Sequence, residues 1–153
     1  MLFPIAIEPG DEKHAFGVVV PDIPGCFSAG DTLDEAIMQA HEAIEFHLAG
    51  LAEDGVEIPV AQTVAHHHAN PEFAGWIWAV VDIDVTAYMG KTEKINVTLP
   101  SSLIRRIDAI VAAHPEYKSR SGFLAQSAIA KLTTLSARPE SDAKGSGAEI
   151  FVG

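Results

Sequence analysis

The chain has 153 residues, a mass of 16.3 kDa and a formal net charge of −11, with 48% hydrophobic and 20% charged residues. That length fits one domain or two small ones, and the composition excludes a wholly disordered, collagen-like or disulfide-stapled chain. No stretch approaches the ~20 apolar residues that cross a bilayer, Met1 to Pro9 has no basic region ahead of an apolar core, and Cys26 is the one cysteine, so a cytoplasmic setting with no membrane attachment is expected.

Leu2 to Glu8 is an apolar run suited to a strand. Pro9-Gly10-Asp11 has turn chemistry, and Ala15 to Val20 is a second strand that pairs with the first as a hairpin. Pro21-Asp22-Ile23-Pro24-Gly25 breaks regular structure, since each proline lacks an N–H and disfavours helix in the residue before it. Cys26 to Ala29 returns as a third strand. Thr32 followed by Glu35 fits a capping box. Leu33, Ala36, Ile37, Ala40, Ile44, Leu48 and Leu51 then make one helical stripe, with Gly55 as its stop. Pro59 to Glu72 is polar and reads as a loop. Gly75 to Val85 is a strand with Ile77, Ala79, Val81 and Ile83 on one face and Trp76 and Trp78 on the other. Gly90 to Glu93 is a linker. Lys94 to Leu99 alternates strictly, and Pro100 ends it. A helix follows from about Ser101 to Ala113, with Leu103, Ile107, Ile110 and Val111 on one side. Ser119 caps a second helix through about Leu135, with Phe123, Leu124, Ala128, Leu132 and Leu135 inward. The Ser/Gly-rich segment 136–153 is expected to be a flexible tail.

Charge divides the chain in the same place. Residues 1–90 hold fifteen acids and one base, Lys13, a sum of −14, whereas residues 91–132 hold seven bases and three acids, a sum of +4. Such asymmetry points to two modules with different partners, 1–90 and 91–135. The basic module can approach phosphates, while the acidic one repels them and suits a basic partner.

One strand and two helices in ~42 residues bury too little surface to fold alone, and a lone strand leaves both edges unpaired. Two chains solve both problems by pairing their strands into an antiparallel ribbon and packing their helices together. Ile95, Val97 and Leu99 would then face inward, and Lys94, Asn96 and Thr98 outward. A two-stranded ribbon fits the DNA major groove, where Lys reads guanine acceptors, Asn bonds adenine and Thr bonds either or touches a thymine methyl. Lys91 and the second helix start at Ser119, Arg120 and Ser121 are placed to hold phosphates. The run KINVTLPSSLIRRID, followed after a turn by SRSGFL, resembles the ribbon-helix-helix family of DNA-binding proteins. Arg105 and Arg106 read as a solvated helix face.

The stretch FGVVVPDIPGCFSAGDTLDEAIMQAHEAI resembles the HicB family of antitoxins. The residues that carry the likeness are Pro21-Asp22-Ile23-Pro24-Gly25-Cys26, Gly30-Asp31-Thr32 and Glu35-Ala36. It covers about 2–60 and 91–135 well and 61–90 weakly. The resemblance implies an α+β protein. Its N-terminal antiparallel sheet with one main helix would be a partly degraded ribonuclease-H-like fold, and its C-terminal ribbon-helix-helix module would dimerise through an intermolecular β-ribbon. It implies an antitoxin, not an enzyme, whose acidic module covers a HicA-type mRNA-cleaving toxin and whose basic module binds operator double-stranded DNA and represses its own operon. No cofactor is implied; the assembly would be a homodimer, or a tetramer if a free sheet edge adds a second interface.

Other chemistry weighs less. His66-His67-His68 has no second ligand cluster at metal spacing, and a solvated loop is expected. Cys26 follows a turn and has no assignable base, so a small buried residue is expected. Asp82 and Asp84 share one strand face and, with Asp22, are the residues on which a metal-dependent nuclease would depend. A solitary repressor without a toxin is the third reading.

Overall fold

The computed structural model describes residues 1–137; the remainder of the expected tail lies outside the described residues. Strands β1 (Leu2–Glu8), β2 (Phe16–Val19) and β3 (Phe27–Gly30) are followed by helices α1 (Leu33–Glu53) and α2 (Val64–His68), then by β4 (Ile77–Asp82), and last by α3 (Ser101–Ala113) and α4 (Arg120–Ser136). Single 3₁₀ turns lie at Pro71–Phe73, Thr86–Tyr88 and Pro115–Tyr117. The fold class is α+β, and the four strands form one antiparallel sheet in the order β3-β2-β1-β4.

The first strand lies inside the sheet and is buried continuously from Phe3 to Ile7. The side-chain period of a strand puts Phe3, Ile5 and Ile7 on one face. The register sets Val81, Ala79 and Ile77 of β4 opposite them, with Val18 of β2 opposite Ile7. This face packs on α1 through Ala36, Ala40, Ile44 and Leu48, which recur every four residues and are fully buried. Pro4 is tolerated because β2 pairs with β1 only from Ala6 onward, so at Pro4 the strand has a neighbour on one side alone.

Local chemistry fixes both ends of α1. The Thr32 hydroxyl accepts from the Glu35 amide at 3.1 Å. The Glu35 carboxylate reaches back one residue further than the expected box and accepts from the Asp31 amide at 2.9 Å. At the other end Gly55 takes φ 68°. Its amide donates to Ala52 and that of Val56 to Leu51, the paired bonds that satisfy the last free carbonyls of a helix. Gly30 meets the first turn of α1 so closely that a Cβ there would lie 2.3 Å from the Ala36 nitrogen.

The structure corrects two sequence expectations about helices. Residues 59–72 are not all loop, for they contain α2, capped by the Thr63 hydroxyl, and a 3₁₀ turn capped by Asn70. Five residues are too few to show a helical period, and three of them are histidines. In α4, Ala128, Leu132 and Leu135 are exposed rather than inward, with Leu132 54% and Leu135 49% accessible. Ile129 is the buried residue instead, and it joins the core of the acidic module. Lys94 to Leu99 forms no hydrogen-bonded ladder in the single chain. Among the described residues no helix is long and apolar enough to cross a membrane.

Candidate functional site

In the segment with excess Lys and Arg, residues 91–135, α3 and α4 meet at a corner. Ile107 of α3 is buried, and Tyr117 packs edge-on to Phe123 with ring centroids 5.1 Å apart. The Ser119 hydroxyl caps α4 by accepting from the Gly122 amide at 3.0 Å. Gly122 is required there, because a Cβ would stand 2.1 Å from the Tyr117 carbonyl oxygen. Lys118 turns the corner at φ 64° and ψ −42°, a sparsely populated conformation that costs about 1–3 kcal/mol.

The residues expected to contact DNA are all exposed: Lys91, Lys94, Asn96 and Thr98 before α3, and Ser119, Arg120 and Ser121 at the start of α4. Between the first set lie Ile95 and Val97, 75% and 60% accessible. Leu103, Ile110, Leu132 and Leu135 add further uncovered apolar surface on α3 and α4. Arg120 has a partner that sequence reasoning missed. Its Nε and Nη2 donate to the two carboxylate oxygens of Asp108 at 3.0 and 2.8 Å. The guanidinium beside it holds the Asp108 carboxyl below its ordinary range. A pairing across twelve positions and a turn has no periodic signature; the opposite charges of Asp108 within α3 and Arg120 at the start of α4 were the available hint.

In the acidic module the turn at Pro21–Cys26 is closed by three backbone bonds, Ile23 to Val20, Cys26 to Ile23 and Val20 to Cys26, with Gly25 at φ 81°. It presents Asp22, whose side chain is 5% exposed, to a distant segment. One carboxylate oxygen lies 2.8 Å from His67 Nε2, and the other accepts from the Gln62 amide at 3.2 Å. The His67 ring lies nearly parallel to Trp78, 9° apart at a centroid separation of 6.4 Å. Phe73 meets Trp76 and Trp78 edge-on. The 62–76 segment is thereby fastened over the face of β4 that points away from α1. His67 is thus held in a packed cluster and is not solvated, whereas His66 and His68 are exposed.

The nuclease arrangement of Asp22, Asp82 and Asp84 does not assemble. Asp22 is turned to His67, Asp82 pairs with the Met1 amino group at 3.3 Å, and Asp84 accepts from the Thr86 hydroxyl and amide. Among the described residues no three His, Cys, Asp or Glu side chains stand where they could hold a metal ion together. Cys26 is fully buried, and burial pushes its thiol up to about 11.

Residues 3–128 match the family model described as the HicB_like antitoxin of bacterial toxin-antitoxin system. The chain is 51% identical over 132 residues to an uncharacterized 14.9 kDa protein from the rep-hol intergenic region of Haemophilus phage HP1, covering 86% of this chain and 98% of that protein. The crystal structure of the Burkholderia pseudomallei antitoxin HicB is similar at 44% identity and a TM-score of 0.65, over 84% of this chain and 96% of that one. The antitoxin HicB3 crystal structure is similar at 34% identity and a TM-score of 0.56, over 86% and 97%. The two solved structures are antitoxins by name, each matched over more than four fifths of this chain, and the family is one of antitoxins, not enzymes; the chain belongs to the HicB-like antitoxins of bacterial toxin-antitoxin systems.

Proposed function

We propose that this antitoxin works through two surfaces. The acidic module, residues 1–90, binds a HicA-type mRNA-cleaving toxin and covers its active site. The basic module, residues 91–135, forms a ribbon-helix-helix homodimer that binds its own operator DNA and represses the operon in the cytoplasm. A four-stranded antiparallel sheet under one long helix is compatible with a reduced ribonuclease-H-like origin for the acidic module.

The observation that carries this reading is the state of residues 94–99. They alternate apolar and polar, yet in one chain they have no strand to pair with, and Ile95 and Val97 stand 75% and 60% exposed. A second copy covers that apolar face together with Leu103, Ile110, Leu132 and Leu135. The same pairing turns Lys94, Asn96 and Thr98 outward as a ribbon of major-groove width. On the toxin side, charge supports the assignment: a protein that cuts RNA must offer positive potential to phosphate, and a module of −14 is its electrostatic complement.

The test is binding to the promoter DNA ahead of its own gene. Asn96→Ala should relax sequence preference at one base pair at a cost of about 1–3 kcal/mol. Lys94→Ala should weaken operator binding more than binding to random DNA. Sedimentation should give a dimer or a multiple of it, dissociating on Val97→Asp. Wild-type-like operator binding by both base-reading variants, or a monomer at micromolar concentration, would refute the ribbon.

A further inference from the structure

Helix α1 buries one stripe and leaves the opposite one bare. At 100° per residue the outward direction falls near Glu42. On that side stand Met38, 67% exposed, and Phe46, 79% exposed, the most accessible large apolar side chain among the described residues. Beside Phe46 an open groove of about 520 Å³ runs between α1 and the Pro21–Cys26 turn. Ile23, Pro24, Leu51 and Pro59 give it apolar surface, and His47, Asp54 and Glu57 line it as well. A lone exposed aromatic needs no explanation. An exposed aromatic at the mouth of an apolar recess has the form of a binding anchor.

Charge selects the occupant. α1 has no Lys or Arg, and Lys13 is the sole base in the first ninety residues. A nucleic acid is repelled by such a surface, and a second copy of this chain would bring the same acids to it. A basic protein is attracted. We propose that this groove, with Phe46 at its mouth, is the docking surface for the toxin of the pair. The toxin packs an apolar side chain against Phe46 and sets Lys or Arg against Asp54 and Glu57. The inference rests on the antitoxin reading and adds to it the place where the toxin sits.

The test measures binding of the full-length chain to its cognate toxin by interferometry. Phe46→Ala should weaken binding at least about thirtyfold, the loss typical of an aromatic anchor. Asp54→Lys with Glu57→Lys should slow association about tenfold or more and remove most of its salt dependence. All three positions are exposed, so the variants should keep the wild-type circular dichroism spectrum. Val80→Ser, an exposed site on the sheet face away from α1, should bind like wild type. Wild-type affinity in the first two variants, or loss only in Val80→Ser, overturns the groove and leaves the antitoxin reading intact. A change in the mass of the free chain on Phe46→Ala assigns the groove to self-association and also overturns it. If the unaltered chain binds no toxin, both the groove and the toxin reading fall.

Discussion

Replacing His67 by alanine should weaken the acidic module far more than its place in a run of three histidines suggests. The ring is lodged between Asp22 and Trp78, and the paired side chains are 13% and 5% exposed. Removing it leaves one Asp22 oxygen without its donor, which costs about 1–3 kcal/mol for a buried acceptor. It also deletes the stack on Trp78, worth about 0.5–1.5 kcal/mol. Together these come to about 1.5–4.5 kcal/mol. Urea unfolding followed by tryptophan fluorescence is a direct assay, since both tryptophans, Trp76 and Trp78, lie in this cluster. Asp22→Ala should cost a similar amount, because it strips acceptors from His67 and from the Gln62 amide. The two changes should not add. A double-mutant cycle at one fixed pH should return a coupling of about 1–2 kcal/mol, within the range for residues in direct contact. His66→Ala, at an exposed position, should lie within about 0.5 kcal/mol of wild type. Additive losses, or a His67→Ala cost no larger than that of His66→Ala, would refute the clasp.

Gly122→Ala should disrupt the α3–α4 corner, because the new methyl would collide with the Tyr117 carbonyl at 2.1 Å; operator binding and α4 helicity by circular dichroism should fall together. Native Cys26 should resist a thiol reagent at neutral pH and react only on unfolding, since burial holds the thiol near 11; rapid labelling of the folded protein would contradict this. Asp108 has a folded value below its ordinary 3.8, so the unfolded chain binds the extra proton first on acidification. The stability it lends is complete above that ordinary value and disappears as pH drops through the folded one. Asp108→Asn should therefore flatten the acid limb of the unfolding curve below about pH 4. The same change releases Arg120, and the salt dependence of DNA binding should steepen by about one unit.

The sequence made some elements legible because their causes are local. Thr32, Glu35, the four-residue recurrence of Ala36 to Leu48 and Gly55 define α1 without reference to anything distant. Ser119 defines the start of α4 in the same way. What stayed hidden depends on contacts across the chain. The bond between Asp22 and His67 joins positions 45 apart, and α2 exists largely to deliver that histidine. The Pro-Asp-x-Pro-Gly-Cys turn was recognisable as a motif, but what its aspartate holds was not. In α4 the apolar pattern named too many inward residues: Leu132 and Leu135 are apolar and yet uncovered in the single chain, where the proposed second copy would pack on them. For the residues proposed to face DNA, alternation alone separated Lys94, Asn96 and Thr98 from Ile95, Val97 and Leu99. It could not tell that Arg120 already has a carboxylate to hold.

The near absence of cations from the acidic module has a practical corollary. Trypsin cuts after Lys and Arg, and before Lys91 it finds only Lys13, in the exposed turn of the first hairpin. Beyond that point it meets Lys91 in the exposed 90–93 stretch, ahead of the ribbon proposed for residues 94–99. Brief digestion should therefore release a fragment ending at Lys91 that is either whole or nicked once, with both pieces still joined through the sheet. The protease would dissect the molecule at the seam its charges already draw.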